Sequence, residues 1–459
     1  MRINTIIFYI LLATVFCNIS CSKDWLNEKP SKNLVVPSSI KDMQAILDND
    51  IVFNRGFSSI PIICTDYVRY SDADFGSLLQ EDQDAYTWKK TINYESDQSS
   101  DWTFFYRMIE NANLVLDGVK EMESNHEVKF IQGQAHFFRA VGYYYLSQTF
   151  CKPYVKGSAN HELGLPLRLT SNVNQVEKRS NLQQVYDLIL SDLKFAIENL
   201  PNTVMYNTRA SKTSALAMLA KTNLIMQDYN EAIDYANAVL QVKNELLDFN
   251  NEQLVSSSNT FAFPYLGIDN PEIIFFAMGF TGNQWSGKGD ILQVEPSFYE
   301  SYSEKDKRKA FYFDVTDDRI NFVGSYSGDR YLFQGISTNE IYFIRSECYA
   351  RLNNIQEAQD DLNLILKNRY ITGEAPVIEE NDKIKLLKII FLERTKEFPR
   401  FSNIWWEDLR RLNLEPEFQR TMKRTVNGSE ISLAPNDPLY IFPIPIKEIS
   451  LSGIEQNKR

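Results

Sequence analysis

The chain has 459 residues, 44% of them hydrophobic and 13% aromatic, including 24 Tyr and 29 Phe. That combination supports a large core, excludes a disordered chain and leaves rings for surface roles. The formal net charge is −12, from 60 acidic against 48 basic residues, and no basic block of five or more occurs. Nucleic acid and polyanionic partners are therefore disfavoured, since a phosphate backbone needs a basic surface.

Residues 1–20 read as a secretory signal: Arg2, an apolar run over 6–16, then small and polar residues ending at Ser20. The run is too short to span a bilayer. Cys21, directly after a small residue, is the expected acylation site of a lipoprotein, although Asn18 stands where a lipobox usually has Leu. Ordinary signal cleavage nearby, with Cys21 a plain thiol, is the other reading. Acyl chains would anchor the mature chain firmly, at about 0.8 kcal/mol per buried CH₂. No later stretch approaches the length of a membrane span. Cys17 leaves with the signal, and Cys64, Cys151 and Cys348 lack metal-like spacing, so buried thiols are expected, with at most one disulfide.

Residues 21–38 form a polar tether. Ser39, with Asp42 three residues on, opens a helix whose apolar positions are Ile40, Met43, Ile46 and Leu47. Residues 56–101 break into short aromatic, polar-rich pieces: loops with a strand or two. Helical periodicity then returns over 102–122 and about 127–150. Gly and Pro punctuate 151–176 as a loop. Ser180, with Gln183 three residues on, opens the next helix, and Pro201 stops it.

Residues 213–226 and 230–242 make a helix pair joined at Gln227, Asp228 and Tyr229, and 339–352 with 355–368 make a second. Aligning the turns superposes Glu231 and Ala232 on Glu357 and Ala358, Asn237 on Asn363 and Leu240 on Leu366. The pattern resembles the tetratricopeptide helix hairpin, in which a small Ala lets neighbouring helices approach. A Gly-, Asn- and aromatic-rich insertion over 246–335 separates the pairs, with a buried strand expected at 272–277. Residues 384–397 read as the last helix, and the tail from Asn403 as mostly irregular.

Chemistry-bearing motifs are sparse. His126, His136 and His161 lack zincin spacing, and no GxSxG or HExxH motif occurs. Residues 282–288 mimic a phosphate loop, but Gly289 stands where a Ser or Thr should hold magnesium, so the segment reads as an exposed loop carrying Trp285. Glu393, Glu397, Glu407 and Asp408 lie near Arg394, Arg410 and Arg411 in sequence, which points to structural ion pairs rather than a glycosidase pair. No catalytic residue, cofactor or metal site is expected.

Several segments in series resemble the SusD (SusD/RagB) family. They are the lipoprotein start with Trp25-Leu26-Asn27-Glu28-Lys29-Pro30; Trp102, Tyr106, Ile109, Ala112, Asn113, Val115 and Leu116; Gln134-Ala135 with Phe137, Phe138, Arg139, Ala140, Tyr143, Tyr144 and Leu146; and Val185, Tyr186, Ile189, Asp192 and Leu193. The most diagnostic is Pro443-Ile444-Pro445 with Glu448 and Ile449, followed by Glu455-Gln456-Asn457. Two departures occur: Gln134 replaces an expected Glu, and residues 403–409 lack the Gly and Arg of the usual Gly-x-Arg-Trp-x-Asp-Leu element.

The resemblance implies a mainly α, TPR-like superhelix in a single domain over 39–459, helical over about 102–245 and 338–400 and irregular over about 56–101, 246–335 and 403–459. It implies a lipid-anchored, surface-exposed outer-membrane protein that binds a polysaccharide or oligosaccharide without cleaving it and delivers it to a SusC-like TonB-dependent transporter. The RagB branch, which takes up peptides, is the alternative, and a surface glycoside hydrolase is a third reading. A glycan site needs flat rings for pyranose C–H faces and polar groups for hydroxyls, on loops that a scaffold holds. Trp88 and Trp285 are the expected stacking platforms, with Tyr86, Tyr326, Asn93 and Asp66 as further candidates in the loop regions 66–93 and 281–331.

Overall fold

In a computed structural model, residues 37–57, 60–95, 99–257, 259–279, 289–401 and 403–459 are described. The fold is mainly α, as expected. The helices of eight or more residues are α1 (Ile40–Leu47), α2 (Ser100–Val119), α3 (His126–Phe150), α4 (Leu182–Asn199), α5 (Lys212–Ile225), α6 (Tyr229–Val242), α7 (Thr338–Arg351), α8 (Ile355–Lys367), α9 (Lys383–Glu397) and α10 (Ile404–Leu412). Residues Ile40–Arg459 make one compact unit.

Local chemistry sets the helix ends. Asn125 caps α3 by accepting from the Val128 N–H at 2.9 Å. At α4 the capping box forms between Asn181 and Gln184, one residue later than the Ser180–Gln183 spacing predicts. Ser180 is held instead in the short strand Arg179–Asn181, paired with Leu163–Pro166, and its hydroxyl donates to the Leu165 carbonyl at 2.8 Å.

From residue 137 to 150, α3 is buried on every side, which makes it the central helix. Its packing against α2 depends on Gly142, where an added Cβ would lie 2.8 Å from Ile109 Cγ1. The sequence motifs of α2, α3 and α4 meet at one buried cluster. The Arg139 guanidinium donates to both Asp192 carboxylate oxygens at 2.8 Å and to Asn113 Oδ1 at 2.9 Å. Burial alone would raise the Asp192 carboxyl, but Arg139 and His136 hold it below the usual range.

The two hairpins, α5–α6 and α7–α8, are built alike down to the backbone. Each turn has a residue with positive φ, Gln227 (62°) and Asn353 (68°), at matching positions. The next N–H in each returns to a carbonyl five residues back: Asp228 to Asn223 and Asn354 to Tyr349, both at 2.9 Å. Ala232 and Ala358 are both fully buried. The second turn of the helical stack therefore repeats the first.

Two stretches are more ordered than the sequence indicates. Among the described residues of the segment 56–101 are the short helices Ile60–Cys64, Asp72–Gly76 and Gln80–Tyr86, besides the strand Val68–Arg69. The tail carries α10 and a hairpin pairing Met422–Val426 with Ser429–Leu433, so α9 is not the last helix. Trp405, Trp406 and Leu409 are buried on α10, and their burial sustains a helix with four charged residues in nine. The expected strand in the insertion is present as Ile273–Phe275, paired with Ile336–Ser337. Cys64, Cys151 and Cys348 are free and buried. No described helix is long and apolar enough to cross a membrane.

Candidate ligand-binding groove

The two loop regions singled out in the sequence are brought together. Val68 pairs with Val294 and Arg69 with Gln293 in an antiparallel ladder. Arg69 Nη2 donates to Gln293 Oε1 at 3.3 Å, and Arg319 lies 3.2 Å from the Asp74 carboxylate.

Three of the six candidates, Trp88, Tyr86 and Tyr326, are buried rather than displayed there, which corrects the expectation for those rings. Trp88 is only 5% exposed; its indole N–H donates to the Cys64 carbonyl at 2.8 Å, and the Arg424 guanidinium lies 4.3 Å from its ring centre. Tyr86 is buried beside it, with the same guanidinium 3.8 Å from its ring. Tyr326 is buried, packed on Phe263 and Phe401, and its hydroxyl donates to Glu272 Oε2 at 2.6 Å. None of these three rings can stack on a sugar. Arg424 comes from the tail hairpin, far away in sequence, and its guanidinium is capped by the carbonyls of Ile63, Cys64 and Thr65. Asn93 is exposed, but its amide is tied to Asp84 at 2.7 Å. Asp66 is half-buried and pairs with Arg420. Trp285 and Cys21 lie outside the described residues.

Beside Asp66 lies a groove of about 410 Å³ that the sequence did not disclose. Tyr67, Phe391, Trp405 and Phe418 wall it, with Lys388, Asp408, Gln419 and Arg420 among its polar residues. Tyr67 packs on Trp405 at 4.4 Å and on Phe298 at 4.7 Å between ring centres. Phe391 and Phe418 meet edge to face at 5.0 Å. The Trp405 indole N–H donates to the Thr395 carbonyl at 3.0 Å, which fixes the ring on α10. Arg420 sits 4.5 Å from the Tyr67 ring centre and donates to the Tyr67 hydroxyl and to Asp66. Burial pushes the Tyr67 hydroxyl above its usual range despite Arg420, so it stays protonated at neutral pH. Lys388 and Gln419 are exposed.

Tyr67, Phe391 and Phe418 offer partly exposed rings to an apolar face, backed by the buried Trp405, and the rim offers amide, ammonium and hydroxyl groups to hydroxyls, a division that suits a sugar. The carboxylates read as structural are indeed occupied. Arg308 lies 2.5 Å from Glu393 and 3.1 Å from Glu397; Lys221 lies 3.3 Å from Glu407; Arg394 lies 2.7 Å from Asp408. Among the described residues no three potential ligands cluster in a way that could hold a metal.

Comparison with known proteins agrees with this architecture. Residues 24–224 match a family described as starch-binding and associating with the outer membrane, and residues 336–458 match the family described as SusD. A SusD-like protein of Formosa agariphila is 24% identical over 67% of the chain and 71% of its own length. A second SusD-like protein of that organism is 27% identical over 52% of the chain and 46% of its own length. Among solved structures, a SusD superfamily protein from Bacteroides thetaiotaomicron superposes with a TM-score of 0.71 at 19% identity, covering 92% of this chain and all of its own (100%). A SusD-like carbohydrate binding protein from Bacteroides vulgatus gives 0.67 at 18% identity, covering 90% and 96%. The interlocked motifs of α2, α3 and α4, the repeated hairpins and these matches have one explanation: the chain belongs to the SusD-like family.

Proposed function

We propose that the chain is a surface-exposed lipoprotein, anchored through Cys21, that captures a polysaccharide or oligosaccharide and passes it uncut to a SusC-like TonB-dependent outer-membrane transporter. The observation that carries this reading is the groove walled by Tyr67, Phe391, Trp405 and Phe418 with a polar rim. The family description of starch binding and the carbohydrate-binding relative support the same ligand class. Occupation of Glu393, Glu397, Glu407 and Asp408 by cationic partners supports binding without hydrolysis. Trp285 is retained as a further platform on sequence grounds alone.

Affinity electrophoresis on a panel of neutral polysaccharides tests the ligand class. Retardation by at least one glycan, with no reducing sugar released, is expected. Migration unchanged on every glycan, with measurable affinity for peptides, would favour the RagB-type alternative. Trp285→Ala in the same gels tests that ring separately.

A further inference from the structure

Arg351 closes α7, the first helix of the second hairpin, and its guanidinium is engaged on every edge. Nε donates to Glu347 at 2.7 Å, and the two Nη atoms donate to the two Glu415 oxygens at 2.9 and 2.8 Å. The side chain is 7% exposed and does not line the aromatic groove. Two elements that carry groove rings are nevertheless tied to it. Glu415 begins the turn of Phe418, whose N–H donates to the Glu415 carbonyl at 3.0 Å. Lys383, at the start of the α9 helix that bears Phe391, donates from Nζ to the Arg351 carbonyl at 2.5 Å. The guanidinium carbon lies 5.8 Å from the Phe391 ring centre and 5.9 Å from that of Phe418, within reach of cation–π attraction.

Packing of the repeat does not ask for a cation here. With the turns at Gln227 and Asn353 aligned, Arg351 corresponds to Ile225, which is buried in the first hairpin. A cation in that place costs desolvation, and a buried ion pair is often no more stabilising than apolar side chains of like volume. What a two-pronged guanidinium–carboxylate pair supplies is fixed geometry. Phe418 is where that geometry matters, because its ring is only partly buried and is carried on a turn rather than a helix. A ring ordered before the ligand arrives spares binding the entropy of ordering it.

We propose that Arg351 is a positioning residue of the aromatic groove: without touching the ligand, it holds Phe391 and Phe418 edge to face, 5.0 Å apart, for the sugar to meet. The inference rests on the reading of the groove as the glycan site. Arg345, on the same helix, makes the same kind of fork, to Asp361 at 2.8 and 2.6 Å. Its ring contacts are Tyr342 and Tyr349, neither of them at the groove, so it serves as the control.

One readout of the test needs no ligand: 4-fluorophenylalanine placed singly at positions 391 and 418 of the full chain gives a fluorine NMR resonance for each ring. Arg351→Met should move the resonance at 418 toward that of the free amino acid, whereas Arg345→Met should leave both in place. In Arg351→Met, Glu347 keeps Arg411 and the partly exposed Glu415 is solvated, so the variant should melt as a folded protein. Arg351→Lys, which keeps the charge but not the fork, makes the same comparison if it does not. Calorimetric titration with an oligosaccharide of the polysaccharide that retards the wild type should show about tenfold weaker binding for Arg351→Met, the scale of ordering two side chains. In a Phe418→Ala background the same substitution should cost about threefold or less, because a ring it acts through is gone. Unmoved resonances in a folded Arg351→Met protein, or equal losses with and without Phe418, would overturn the proposal. A wild type that binds no glycan would overturn the groove reading, while the resonances still decide whether Arg351 orders the rings.

Discussion

Glu347 on α7 is fully buried between two guanidiniums: Arg411 Nη2 and Arg351 Nε each lie 2.7 Å from its carboxylate. Burial alone would raise its carboxyl, but the two arginines pull it down to about 2 from 4.5. A carboxylate whose folded pKa is depressed contributes its stability above the unfolded value and loses it as pH falls through the folded one. We therefore expect Glu347→Gln to cost about 3 kcal/mol near neutral pH, because each buried arginine loses one of its two carboxylates, Arg351 keeping Glu415 and Arg411 keeping Asp408. The gap to the wild type should narrow by about 3 kcal/mol between the ordinary carboxylate range and about pH 2. Urea unfolding at a series of pH values checks this; a gap independent of pH would contradict it.

At the scale of elements, Gly142 sets how closely α2 and α3 approach. Ile109 Cγ1 and the Phe105 carbonyl, 2.8 and 3.2 Å from an added Cβ, leave no room for Ala. Gly142→Ala should lower stability by about 1–3 kcal/mol, outweighing the roughly 1 kcal/mol that Ala contributes in an open helix. A raised melting temperature would refute that packing.

The elements visible in sequence were the long ones with sustained 3.6-residue periodicity, together with the repeat, whose matched turns at Gln227 and Asn353 carry the same left-handed step. The hidden ones were short. The tail helix α10 has nine residues, and its apolar positions are masked by Glu407, Asp408, Arg410 and Arg411. The two loop regions do meet in the fold, but the groove takes only Tyr67 from them and its other residues from 388–420. Trp88 and Tyr86 lie in a polar, aromatic-rich stretch of sequence, and what covers them is Arg424, which no local pattern connects to them. Tyr67 was passed over for its neighbour Asp66, because the groove it walls needs Phe391, Trp405 and Phe418 from the opposite end of the chain.

For the whole molecule, a stack of helices brings an N-terminal loop and the C-terminal segment together at one groove, and Arg420 fastens them by pairing with Asp66 and the Tyr67 hydroxyl. Trp405 belongs to the buried core, whereas Tyr67, Phe391 and Phe418 are only partly buried against it. Removing one half-buried ring should then weaken binding without unfolding the chain. The most direct measurement is calorimetric titration of wild type, Tyr67→Ala and Phe418→Ala with an oligosaccharide of whichever polysaccharide retards the protein. Each variant should melt as a folded protein and lose roughly 1–3 kcal/mol of binding, the scale of one aromatic stacking platform. Wild-type affinity in both folded variants would contradict the groove as the glycan site.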